Sequence, residues 1–306
     1  MPRFWQFFET ARGLTNDAAV AEFRRLVICP DSLVYESLSG PPDDKALTRY
    51  LKRVVGDTGT MRLIHSRIQR DFAEQHARFD SVFTDANWDG IQIYFAPWFY
   101  NTNAGGGRMR NGPNVLMFGV DALVADYTAN RAPALLFQHE LFHLYHGAVG
   151  RAIAASDASS TSPPITSNTP PPTYNGTPLF WSVWREGLAT YASLELNPSA
   201  SLADASLSPT LVGNTSGRLR EISADIRQHL DSTSRAIREE YLSGAPQRKN
   251  AVPRSGYYVG LLVARRLAEH HTLPELTRLR FADMRMTMDS VLHEFEQGNY
   301  PTAGRH

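Results

Sequence analysis

The chain holds a single cysteine, Cys29, among 306 residues. That scarcity excludes an internal disulfide and a zinc site built on thiolates, and leaves Cys29 to be read as a small buried hydrophobe. Net charge is absent as well, with 31 Lys and Arg against 31 Asp and Glu. A balanced chain lacks the basic surplus that nucleic-acid and anionic-membrane binders use, so neither is an expected partner. No apolar run approaches the roughly 20 residues of a membrane-spanning helix. The opening Met1-Pro2-Arg3-Phe4-Trp5-Gln6-Phe7-Phe8 is aromatic but soon meets Glu9 and Arg12. It has neither a proper hydrophobic region nor a small-residue cleavage site, so the chain as given carries no signal-peptide pattern. Compartment and oligomeric state have no marker in it.

What is present describes a sizeable core. Hydrophobic residues make up 42% and charged residues 20%, as in folded globular chains. The length suits one large domain or two of ordinary size. Residues 1–85 read as a helical region. Helical spacing covers Asp17 to Ile28, then a helix capped by Asp43 or Asp44 and ending near Gly56, then about Thr60 to Phe79. The period then changes to two at Ile91, Ile93 and Phe95, a strand that starts after the Trp88-Asp89-Gly90 turn. Asn101 to Pro113 reads as a loop or hairpin connection. Its Gly105-Gly106-Gly107 is expected to be a flexible loop, because no Lys-Ser/Thr follows to make a phosphate cradle. A second strand is expected over Asn114 to Val120. Ser156 to Thr177 is rich in Ser, Thr, Pro and Asn and reads as an irregular surface excursion at a cleft edge. Helices are expected at Phe180–Leu196, Arg218–Leu242, Gly256–His271 and Pro274–Gln297. The class is therefore α+β and mainly helical. Residues 86–306 form the expected catalytic region, separate from the first 85 or continuous with them.

The chemistry is concentrated at His139-Glu140-Leu141-Phe142-His143. Residues four apart share a helix face, so His139 and His143 can reach one ion, with Glu140 placed as general base beside its open position. Pro133 suits the first position of that helix, and the surrounding Ala, Leu and Phe residues favour helix and core. The alternative is a pair of hydrogen-bonded core histidines with no metal. A catalytic zinc needs a third protein ligand. His146 lies roughly 10.5 Å along the axis from His139, too far for one ion, and reads as a cleft residue or a satisfied histidine. The strongest candidate is Glu186 in Trp184-Arg185-Glu186-Gly187-Leu188-Ala189-Thr190-Tyr191, whose small residues at 187, 189 and 190 would let this helix approach the His139 helix. The competing reading of Glu186 is an exposed helical carboxylate.

H-E-x-x-H followed by W-x-E-G-x-A-T-Y resembles the gluzincin metallopeptidases, the thermolysin-like group. The second block is most similar to the aminopeptidase-N-like branch, and the pair also resembles bacterial families of predicted zinc proteases without an assigned substrate. The likeness covers about Val115 to Arg266. It implies a gluzincin-like domain with a small sheet beside the H-E-x-x-H helix, zinc held by His139, His143 and Glu186, and water activation by Glu140. It also implies a tyrosine that donates to the developing oxyanion. Tyr257, three residues before Gly260, matches that spacing; Tyr258 is the second choice, and packing at a helix start is the bland one. The strand near Ile91–Phe95 or Asn114–Val120 would line the cleft and pair with an extended peptide. Two departures matter. Gly105 to Asn111 contains no glutamate to hold a free amino terminus, and Thr190 stands where thermolysin-type enzymes have an aspartate. The expected activity is peptide-bond hydrolysis on a peptide or protein substrate. The alternatives are an inactive zinc-binding or regulatory protein, a zinc hydrolase of a non-peptide amide or ester, and an all-helical structural protein without metal.

Overall fold

The structure, a computed structural model, describes residues 1–110, 112–126, 134–158, 176–205, 210–248 and 251–301. The described residues are mainly helical with one three-stranded sheet. They form two compact units, Met1–Gln75 with Asn87–Ala134, and His76–Ala86 with Leu135–His306. The strands thus group with the first helices in one unit.

The first unit contains α1 (Pro2–Thr10), α2 (Asn16–Phe23), α3 (Ser32–Leu38), α4 (Asp44–Val82) as far as Gln75, β1 (Ile91–Ala96), β2 (Ala104–Arg108), β3 (Asn114–Gly119) and α5 (Leu123–Asp126). Its core is partly aromatic, with the rings of Phe7, Tyr50 and Phe4 at 5.0, 5.9 and 6.2 Å from that of Phe23. Asp43 caps α4 through a 2.7 Å bond from the Ala46 amide. That helix does not stop at Gly56. Buried Leu47, Tyr50, Val54, Met61, Ile64 and Ile68 keep the three-to-four spacing across Gly56 and Gly59. A continued apolar face outweighs the cost of about 1 kcal/mol for each glycine. α2 ends at Phe23, and a π turn follows over Arg24–Ile28. Cys29, in the short turn after it, is exposed, which corrects the buried reading.

The sheet order is β1-β3-β2, with β3 parallel to β1 and antiparallel to β2. β3 is therefore central, so Asn114–Val120 provides no free edge. Gly105 to Gly107 is strand β2 and not a loop. A side chain at Gly107 would meet the Ser37 carbonyl at 2.7 Å, so glycine there permits a close backbone passage.

The second unit contains the last turns of α4 from His76, α6 (Ala134–Ala158), α7 (Leu179–Glu195), α8 (Leu202–Ala205), α9 (Leu211–Ser216), α10 (Leu219–Gln228), α11 (Arg235–Leu242), α12 (Ser255–Ala268), α13 (Leu273–Leu276) and α14 (Phe281–Glu296). α6 continues through Ser156 to Ala158. The rest of the expected excursion up to Asn175 lies outside the described residues, as do Pro133 and Asn111. One face of α6 rests on the last turn of α4 and the residue after it, where Phe79 lies 5.9 Å from Tyr145 and Phe83 lies 5.7 Å from Phe142 and 4.6 Å from Tyr145. Burying aromatic side chains of this size stabilises by about 1.5–3 kcal/mol each. The Tyr145 hydroxyl donates to Asp85 at 2.8 Å, and Arg278 closes on the same carboxylate at 2.6 Å.

The helix expected over Arg218–Leu242 is broken into α10 and α11. Ser234 caps α11 by accepting from the Ile237 amide. The break has a second use. α7 has no side-chain cap, and its Leu179 and Phe180 amides donate to the carbonyls of Ser232 and Leu230 at 2.9 and 3.0 Å. Buried helix-start amides would otherwise lack acceptors.

Candidate metal centre

α6 carries His139 and His143 one turn apart, and α7 carries Glu186 against them. The His139 and His143 Nε2 atoms are 3.0 Å apart, and Glu186 Oε2 lies 3.3 Å from the first and 3.1 Å from the second. Four tetrahedral ligands at about 2.0 Å from an ion stand about 3.3 Å from one another. The three atoms therefore have the separation that one small metal ion requires. The donor set of two imidazoles and one carboxylate oxygen suits a divalent ion, and together these residues could hold one. His139 is 3% exposed and Glu186 7%, so a charge placed there meets little competing water. The Nδ1 atoms of both histidines are buried without a hydrogen-bond partner among the described residues, which leaves ring orientation to packing.

Protonation follows the same geometry. Burial would raise the Glu186 carboxyl, but the charges and hydrogen bonds of His143 and His139 hold it well below the usual carboxylate range. Burial opposes charge on His143, yet Glu186 and the charge of Glu140 raise it above the ordinary imidazole value. Glu140 is half-buried beside His139 and close enough for its charge to act on His143.

Of the two tyrosines, Tyr257 faces the centre. Its ring lies 6.1 Å from the His139 ring at an interplanar angle of 23°. Tyr258 is buried elsewhere, with Ser216 Oγ donating to its hydroxyl at 3.4 Å. His146 is outside the ligand group. It is buried between Phe142 and Trp181, with ring distances of 5.5 and 5.8 Å. Burial, helped by the charges of Arg185 and His143, pushes it down to about 3, so it is neutral near pH 7.

The small residues after Glu186 act differently from the expectation. Gly187 does not open the way to α6; it meets α12. A Cβ on Gly187 would lie 2.1 Å from the Gly260 carbonyl carbon, and one on Gly260 would lie 2.3 Å from the Val183 carbonyl oxygen. Successive helix residues point about 100° apart, so Glu186 turns to α6 while Gly187 turns to α12. This crossing brings Glu186 and Tyr257 to the same centre from neighbouring helices. Thr190 returns its hydroxyl to the Glu186 backbone carbonyl at 2.7 Å and leaves the carboxylate alone.

Sequence reasoning passed over Trp181 and Arg185. Both are half-buried on α7, and the Arg185 charge acts on His143 and His146. Their four-residue spacing is a visible signal, but nothing local sets it apart from ordinary helix surface. In comparisons with known proteins, no family model matches the chain, and no curated protein or solved structure matches it.

Proposed function

We propose that the chain is a zinc-dependent metallopeptidase of the gluzincin type, hydrolysing peptide bonds in a peptide or protein substrate. The observation that supports this reading is the 3.0–3.3 Å triangle of His139, His143 and Glu186, drawn from two helices, with Glu140 beside it. When bound, zinc supplies Lewis acidity, polarising a carbonyl and lowering the pKa of a water toward about 7. His139 and His143 would hold the ion through Nε2, and Glu186 would add one carboxylate oxygen. Glu140 accepts the proton of the attacking water as oxygen bonds to the carbonyl carbon. It then delivers that proton to the nitrogen as the C–N bond breaks. The Tyr257 phenol donates to the oxygen that becomes negative, an interaction stronger in the transition state than in the bound substrate.

The test is Glu140→Gln. The amide keeps the size of the side chain but accepts no proton, so the variant is expected to retain metal and lose turnover in a peptide-library digest. Wild-type activity in that variant would reject the assignment, and so would metal-free protein from a purification without chelator.

A further inference from the structure

α7 presents more to the centre than its ligand. Arg185 immediately precedes Glu186, and Trp181 lies one turn before Arg185 on the same helical face. The Trp181 ring is 5.8 Å from His146, which stands just past the second histidine ligand on α6. This face of α7 therefore looks onto α6 next to the metal centre, and the Arg185 charge is felt at both His143 and His146. A half-buried cation beside a cation site is unfavourable unless an anion answers it. Six other arginines of this unit, Arg218, Arg227, Arg248, Arg266, Arg278 and Arg285, each reach a carboxylate, whereas buried Arg265 leaves both terminal nitrogens without a hydrogen-bond partner among the described residues. Among the described residues Arg185 reaches none.

We propose that Arg185 recognises the substrate by receiving one of its carboxylates beside the metal centre, with Trp181 as the apolar wall next to it. This deepens the hydrolase reading of the same site and rests on it for the word substrate. The guanidinium offers paired donors in a plane, which matches a carboxylate with two hydrogen bonds. The carboxylate is a free C-terminus or an Asp or Glu side chain. The preferred substrate is accordingly an anionic peptide, and a positively charged neighbour at that position is disfavoured.

The test uses zinc-loaded full-length Glu140→Gln protein, which is expected to bind without turnover. Calorimetry compares three probes: N-acetyl-Phe-Leu with a free carboxylate, its C-terminal amide, and N-acetyl-Phe-Glu amide. At least one carboxylate-bearing probe is expected to bind roughly tenfold to a hundredfold more tightly than the neutral amide. Whichever does so identifies the source of the anion. Adding Arg185→Gln is expected to abolish the preference and Arg185→Lys to restore part of it, with metal content unchanged in both. Equal affinity for all three probes, no binding of any, or a preference that survives Arg185→Gln would overturn the proposal. Loss of metal in Arg185→Gln would also overturn it, since the residue would then be a support for Glu186. The peptidase reading fails on a separate measurement, wild-type turnover. Turnover without carboxylate preference removes only the role of Arg185, and preference without turnover removes only the peptidase.

Discussion

Replacing Gly260 with alanine places a methyl group against backbone that has no rotamer to yield. The new Cβ lies 2.3 Å from the Val183 carbonyl oxygen and 2.8 Å from Gly187 Cα, whereas ordinary contact begins near 3.4 Å. Relief requires α12 to move by about 1 Å, at a cost of about 3 kcal/mol, the upper end of overpacking. Alanine also returns about 1 kcal/mol of helix propensity. The net loss is about 2 kcal/mol, or a Tm lower by about 4–8 °C for a unit of this size. Gly150→Ala in α6 is the control, because nothing among the described residues lies within 4 Å of its added Cβ. There only the propensity gain operates, and Tm is expected to rise. Thermal melting by circular dichroism reads both variants, and peptide turnover reads the displacement of Tyr257, for which 1 Å can cost about a hundredfold. If Gly260→Ala raises Tm as Gly150→Ala does, the backbone-to-backbone crossing is not what holds these helices.

Three further outcomes follow from the proposed site. Tyr257→Phe is expected to lower kcat by about a hundredfold with metal content unchanged, while Tyr258→Phe changes kcat little; equal losses in steady-state kinetics would remove the distinction between them. Chelation is expected to lower the melting temperature of the wild type, by the equivalent of about 4 kcal/mol where free zinc stands a thousandfold above Kd. Glu186→Ala is expected to bind little metal and to melt at the same temperature with or without chelator; a chelator-sensitive Glu186→Ala protein would place the ion elsewhere.

The pairing of His139 with His143 was legible because their relation is internal to one helix, where a spacing of four is already a geometry. Glu186 was legible through its block, since 43 residues separate it from His143 and no periodicity connects them. The smallness of Gly187 was visible, but its partner was not, because only the three-dimensional crossing says which way a glycine faces. Arg185 was hidden for a related reason. Its place beside His143 and His146 depends on how two helices meet, which no local pattern shows. In the fold, the period of α4 was readable through Gly56, yet local glycine signals suggested a stop. The strand at Gly105 to Gly107 had no side chains from which to show alternation.

The carbonyls of Leu230 and Ser232 that receive the first amides of α7 carry a consequence for synthesis. A chain emerging from its N-terminus has both histidines and Glu186 available long before residue 232 is made. Until then the Glu186 helix begins with amides that have no protein acceptor among the described residues, and until Gly260 follows it has no crossing partner. The three residues that could hold an ion are thus all synthesised before the segments that cap and cross the helix carrying Glu186.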